Sequence, residues 1–239
     1  MRPASCWRSR GVGAGSDEHA AELATVPALL AALPLAGRLV TGDALYCQRA
    51  LCRQIVQADG DYLLIVKANQ PALAHAIATL FVHPPPGERF ATAITWDKHG
   101  DRVETRRLWA SAALSGYLDW PGLQQVALVE RVCRRRGVRT RQVRAVITSL
   151  GPATPAATLL AQVRGHWAIE NRLHWVRDVT LGEDASQVRR GAAPQVLATL
   201  RNCVIALLRH AGATNLAAAL RHGAWCPGAA LTLLGLVPP

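Results

Sequence analysis

Apolar positions along this chain follow two periods, and the places where the period changes divide it into elements. Val26, Leu29, Leu30 and Leu33 stand at i, i+3, i+4 and i+7, which predicts a helix from about Val26 with Thr25 as its cap and Pro27 in its first turn. A short apolar strand, Arg38 to Thr41, ends at Gly42-Asp43. A helix from about Leu45 to Ala58 then buries Leu51 and Ile55, with Gly60 as its left-handed stop. Tyr62 to Val66 is apolar without alternation, as expected of a strand covered on both faces. Strand, helix and strand in that order predict a parallel pair joined by a right-handed crossover.

Beyond Pro71 a helix is expected to about Val82, stopped by Pro84-Pro85-Pro86-Gly87. From about 90 to 150 the pattern turns to strands: Ala93–Trp96, Val103–Trp109, Gln125–Cys133 and Val138–Ser149, with turns at His99-Gly100 and Arg136-Gly137. Thr154-Pro155 opens a helical last third, with helices expected at 155–164, 166–179, 194–210, 214–222 and 228–235. The helix at 194–210 should bury Leu197, Leu200, Val204, Leu207 and Leu208. The reading is an α/β chain in four parts: a disordered lead at 1–16, an α/β piece at 17–89, a β-rich insertion at 90–150 and a helical region at 151–239.

Composition sharpens this only in part. Half of the 239 residues are hydrophobic, enough for one substantial core. The net charge of +11 favours a polyanionic partner, with nucleic acid the commonest. Lys67 and Lys98 are the only lysines among 27 basic residues, a bias that GC-rich coding also produces. The six cysteines show no Cys-x-x-Cys pair and no zinc spacing, so reduced, mostly buried thiols are expected. No apolar run approaches the roughly 18 residues of a membrane span, and no signal peptide is read, so the expectation is a soluble cytoplasmic protein with no membrane partner.

Two carboxylates stand out. Asp43 ends a core strand, on the edge where open α/β sheets gather ligands, although an aspartate there also caps a following helix. Glu170 lies on a predicted helix whose one face carries His166, Glu170, Leu173 or His174, and Arg177. That face reads as a metal-ligand or acid/base stripe with cations beside it, as an ion-paired solvent face, or as a His166/Glu170/His174 helical metal clamp. Residues 131–144 carry seven arginines around Gly137, either a solvated hairpin tip or a phosphate-tracking one. Trp167 and Trp175 read as core packing or as base-stacking platforms.

The run from Gly165 through Asn171, then Leu173-His174-Trp175-Val176, Asp178-Val179-Thr180 and Gly182-Glu183-Asp184-Ala185-Ser186, resembles the closing signature of the H-repeat-associated (ISAs-type) insertion-sequence DDE transposases. Thr41-Gly42-Asp43-Ala44-Leu45 with Gln48, Asp61-Tyr62-Leu63-Leu64, Lys67-Ala68-Asn69-Gln70-Pro71, His99-Gly100 and Val103 to Arg107 fit the same family, over roughly residues 16–237. The resemblance implies a partial RNase H-like core in which three carboxylates hold two Mg²⁺ (or Mn²⁺) ions for phosphoryl transfer during DNA transposition. Asp43 matches the second carboxylate and Glu170 the third, both as catalytic and metal-holding residues. The Tyr, Arg and Lys offsets of related cut-and-paste transposases fall on Val163, His166 and Arg177. Lys67, Arg134, Arg135, Arg136, Arg139, Arg141, His166 and Arg177 are the expected contacts to double-stranded transposon-end DNA.

The match departs from the family in one respect. Asp17 is the only aspartate before Asp43, and it does not fit the first catalytic position, whose strand and two neighbouring strands are expected to be missing. The expectation is a catalytically impaired transposase fragment. The alternative is a non-catalytic fragment that binds DNA, a second copy of itself or an intact transposase. A core reduced to two parallel strands would also leave the apolar edge of Leu63 to Val66 open to aggregation.

Overall fold

A computed structural model describes residues 16–116, 118–169 and 173–237. Its elements are α1 (Ser16–Ala31), β1 (Leu39–Gly42), a 3-10 turn (Ala44–Tyr46), α2 (Arg49–Gln57), β2 (Asp61–Val66), α3 (Pro71–Val82), β3 (Ala91–His99), β4 (Arg102–Ser111), β5 (Gln125–Arg135), β6 (Val138–Thr148), α4 (Ala156–Ile169), a π-helical turn (Val176–Thr180), α5 (Ala193–His210), α6 (Leu216–Trp225) and α7 (Pro227–Leu233). The described residues form two compact units, one ending at His166 and one beginning at Trp167.

In the first unit all six strands form one mixed sheet in the order β1-β2-β6-β5-β4-β3. β1 and β2 are parallel, as the strand–helix–strand order requires, with Thr41 opposite Leu63 and Gly42 opposite Leu64. The strands at 90–150 do not make a sheet of their own. β6 runs antiparallel to β2 and pairs Leu63 with Thr148 and Val66 with Ala145. The expected open edge at Leu63–Val66 is therefore corrected: β6 covers it, and β1 is the sheet's edge on that side.

One sheet face carries Tyr62, Leu64, Val66, Val126 and Ile147, packed with Leu51 and Ile55 of α2 and Leu73 and Ile77 of α3. The other carries buried Leu63, Ile65, Leu108, Val129 and Val146, and α4 brings buried Leu159, Leu160 and Val163. Burial on both faces explains why β2 lacks alternation.

Four local expectations change. α1 starts ten residues before Val26, because Asp17 to Ala24 is rich in Ala, Glu and Leu, which propagate a helix. Thr25 and Pro27 consequently lie inside it, and the Thr25 hydroxyl donates to the Glu22 carbonyl at 2.8 Å. The left-handed residue after α2 is Asp59 (φ 55°), not Gly60. Gly60 is required for space: a Cβ there would lie 3.0 Å from the Leu35 carbonyl oxygen and 3.2 Å from that of Ile55. No helix break occurs at Gly165, which α4 passes through. The lead at 1–15 lies outside the described residues.

In the second unit Val176, Ile205 and Leu216 are buried together, with Leu173, Leu181 and Leu208 against them. Only Ile205 of α5 is fully buried, while Leu200, Val204 and Leu207 are exposed. The π-helical turn and the short α6 cover one stripe of α5 and leave the rest of its apolar surface open. Among the described residues no helix is long and apolar enough to cross a membrane.

Candidate functional site

The C-terminal ends of β1 and β2 are locked together by backbone-directed amides. Asn69 donates to the Ala44 carbonyl at 2.5 Å, and Gln70 donates to the Cys47 carbonyl at 2.9 Å. Lys67-Ala68-Asn69-Gln70 thus clamps the 3-10 turn that follows Asp43. Gly42 sits where a Cβ would lie 3.0 Å from Leu64 Cδ2 and 3.1 Å from Tyr46 Cβ, so the strand end is closely packed against its neighbours. Asp43 caps the turn: its Oδ1 accepts from the Leu45 amide at 3.0 Å. The residue is nonetheless exposed at the sheet edge, so the cap and a ligand role are compatible. Lys67, one residue beyond β2, is exposed as well.

α4 reaches this edge through His166, whose Nδ1 lies 3.1 Å from the Thr41 hydroxyl, two residues before Asp43. The structure thereby brings His166 to Thr41, on the strand end that the sequence singled out. Glu170 lies outside the described residues, as does Asn171. Among the described residues no three His, Cys, Asp or Glu side chains gather as a metal site. The exposed Asp43 carboxylate is a hard oxygen donor of the kind Mg²⁺ takes.

The remaining predicted cations fall into two groups. Arg134, Arg135, Arg136, Arg139 and Arg141 are exposed around the β5–β6 turn. That turn has two central residues, Arg136 (φ 49°) and Gly137 (φ 77°), both left-handed as a tight hairpin of the type I′ class needs. Arg136 stands 3.2 Å from Asp101, and Arg141 stands 2.5 Å from Glu130. Arg177 lies in the second unit and makes a two-pronged bond to Glu183, at 2.7 and 2.5 Å. Burial, then Asp184 and Glu183, raise the carboxyl of the adjacent Asp178 above its ordinary range.

Two expectations about side chains are corrected. Trp175 is 54% exposed and is not core. Of the five described cysteines, Cys47 and Cys52 are buried while Cys203 and Cys226 are exposed, so most are not buried. Burial pushes the Cys47 thiol up to about 12 and the Cys52 thiol up to about 11.

Sequence reasoning missed an ion cluster on the sheet. Glu104 on β4 is 3% exposed and is ion-paired to Arg102, Arg106 and Arg131. Asp97 on β3 joins Arg106 at 2.8 Å to Arg164 of α4 at 2.9 Å. The signal was present as period-two spacing, in Asp97-x-His99 and Arg102-x-Glu104-x-Arg106, which puts all five on one face.

Comparison with known proteins follows the same lines. A family model described as "Transposase DDE domain" matches residues 12–207. YncI of Escherichia coli O157:H7, provisionally named a transposase, is 33% identical over 79% of this chain and 50% of its own length. YhhI of E. coli K12, provisionally named an H repeat-associated transposase, is 29% identical over 81% of this chain and 53% of its own. An uncharacterised Xanthobacter autotrophicus protein is 37% identical over 56% of this chain and 46% of its own. The chain spans about half the length of the curated relatives it matches.

Proposed function

The chain belongs to the DDE transposase family, and from that premise we propose that it is a DNA-handling transposase part built on an RNase H-like core, carrying two of the three metal-holding carboxylates, Asp43 and Glu170. The observation that carries this reading is the contact between His166 and Thr41. It anchors α4, the helix described as far as Ile169, at the end of the strand that runs into Asp43. Mg²⁺ or Mn²⁺ held by such carboxylates stabilises charge on the oxygens of a transferring phosphoryl group. Asp43 is held in place by its cap to Leu45 and by the Asn69 and Gln70 clamps, and His166 is held against Thr41. The arginines of the β5–β6 hairpin, with Lys67, His166 and Arg177, meet duplex phosphates.

Among these 239 residues Asp17 is the only aspartate before Asp43, so the first of the three carboxylates is not supplied in the matched position. The chain by itself is therefore a DNA binder with impaired cleavage. A second reading, a non-catalytic partner of another copy or of an intact relative, is favoured by the exposed apolar stripe Val196, Leu200, Val204 and Leu207 on α5.

Two assays on the full chain test the first reading. Duplex binding is measured by fluorescence anisotropy, and nicking of supercoiled plasmid is measured with Mg²⁺ or Mn²⁺. Binding without nicking is expected. Metal-dependent nicking that Asp43→Asn abolishes would show a complete site and overturn the impairment, and failure to bind duplex at low salt would overturn the reading itself.

A further inference from the structure

On the sheet face that meets α4, three neighbouring strands stack polar side chains in register. Thr95, Arg106 and Arg131 are directly opposed on β3, β4 and β5, Asp97 and Glu104 are opposed in the next row, and His99 and Arg102 in the row after it. Thr41, Leu63, Thr148 and Gln125 continue the same face to β1, so this cluster and the strand end before Asp43 share one side of the sheet. α4 touches both places. His166 reaches Thr41 and Arg164 reaches Asp97, and two residues apart on a helix point about 200° from one another.

Above these rows lies a cavity of about 210 Å³ lined by Asp97, His99, Arg102, Glu104, Arg106 and Arg164. At about 30 Å³ per water it has room for a five-heavy-atom anion and some hydration. Its charge does not balance. Among the described residues, Arg102, Arg106, Arg131 and Arg164 are ion-paired to Asp97 and Glu104, which leaves two positive charges (4 − 2). Among the described residues, the Nε atoms of Arg106 and Arg131 are buried without a hydrogen-bond partner, a costly state for donors in a low-dielectric site. Burial, followed by the guanidiniums of Arg164 and Arg131, pulls Arg106 below its ordinary range, and Asp97 only partly opposes this. Such crowding of like charge is relieved by an incoming anion. Glu104 serves as the hub that orients three guanidiniums, and planar guanidiniums held in this way suit the two non-bridging oxygens of a phosphate.

We propose that this cavity binds one phosphate group of a DNA backbone, through Arg102, Arg106 and Arg164, beside the face that carries Asp43. The inference rests on the DNA-handling reading above and adds to it a built subsite distinct from the exposed hairpin arginines. A phosphate seated there would fix the duplex relative to α4, because Arg164 belongs to that helix.

The test uses the full chain and two probes, inorganic phosphate and a short duplex. Thermal unfolding is followed by circular dichroism in phosphate and in chloride at matched ionic strength and pH, and duplex affinity is measured at low salt. The variants are Arg164→Gln and Arg102→Gln, whose side chains are 38% and 43% exposed and tolerate change better than Arg106. Arg164→Lys serves as the rescue. Phosphate is expected to raise the midpoint of the wild type above chloride and to lose that effect in both Gln variants. Their duplex affinity is expected to fall about ten- to a hundredfold, as for a lost charge-assisted bond, with Arg164→Lys recovering part of it. Both Gln variants melting as wild type in chloride yet binding duplex with unchanged affinity would overturn the inference and leave the DNA reading intact. Arg164-dependent protection by inorganic phosphate in a chain that binds no duplex would overturn the DNA source and the DNA reading together, leaving only a free-phosphate site.

Discussion

Glu104 concentrates the electrostatics of the sheet in one side chain. It is 4% exposed in its side chain and is ion-paired to three arginines, so removing it leaves the largely buried Arg106 without one of its carboxylates. Breaking a buried pair on one side costs about 3–5 kcal/mol. Glu104→Ala is therefore expected to lower the melting midpoint by about 6–20 °C, at 2–4 °C per kcal/mol for a chain of this size. Calorimetry checks this, and a loss under 2 °C would mean that the arginines re-pair with solvent. The cysteines give a second residue-scale prediction. Exposed Cys203 and Cys226 are expected to react with a thiol reagent in the folded protein, while buried Cys47 and Cys52 react only on unfolding. Mass-spectrometric mapping after brief labelling reads this directly, and early labelling of Cys47 would place it outside the core.

At the scale of elements, the covering of β2 by β6 has a measurable consequence. Amides of Leu63 to Val66 are buried between two neighbours and should exchange hydrogen at the slowest rates in the chain, whereas β1, four residues long and at the sheet edge, should exchange faster. Fast exchange at Leu63 to Val66 would restore the open-edge expectation. The β5–β6 hairpin makes a separate prediction. If Arg134, Arg135 and Arg136 each meet a phosphate, replacing all three with Ala should lower the log–log salt slope of duplex binding by about 2–3, at roughly 0.9 per contact. An unchanged slope moves the footprint elsewhere on the protein. The hairpin was legible because Arg136-Gly137 sits between two β-rich runs, and both of its turn residues take positive φ.

For the molecule as a whole, alkaline pH is the informative variable. Burial raises the Cys47 and Cys52 thiols to about 12 and 11, from ordinary values near 9. Between these limits the folded state holds protons that the unfolded state has released, so stability falls as pH rises. The contribution is fully present below about pH 9 and is lost as pH climbs through 11 to 12. Urea unfolding at stepped pH from 8 to 11 should show a falling midpoint, and a double Cys47→Ala, Cys52→Ala variant should fall less steeply. Equal slopes would assign the alkaline loss to other groups, such as Tyr62, which burial also raises.

Period and spacing alone determined the kinds of element, their order and the strand that ends in Asp43, because residues a few positions apart share a face whatever the rest of the chain does. They also placed the arginine hairpin, α3 and the parallel pairing of β1 with β2. They could not show that β6 joins β2, because two covered faces erase the alternation that marks a strand's neighbours. Nor could they show which side of α5 is covered, since an apolar stripe reads alike whether or not something packs on it. Nor could they show that Asp59 takes the left-handed position while Gly60 is set by space, since the carbonyls of Leu35 and Ile55 that would meet a Cβ at Gly60 come together only in the folded chain. The ion cluster depended on tertiary structure most of all. Glu104, Asp97, Arg131 and Arg164 come from three strands and a helix, and charges separated by up to 67 residues (164 − 97) meet only where the sheet and α4 close on one another.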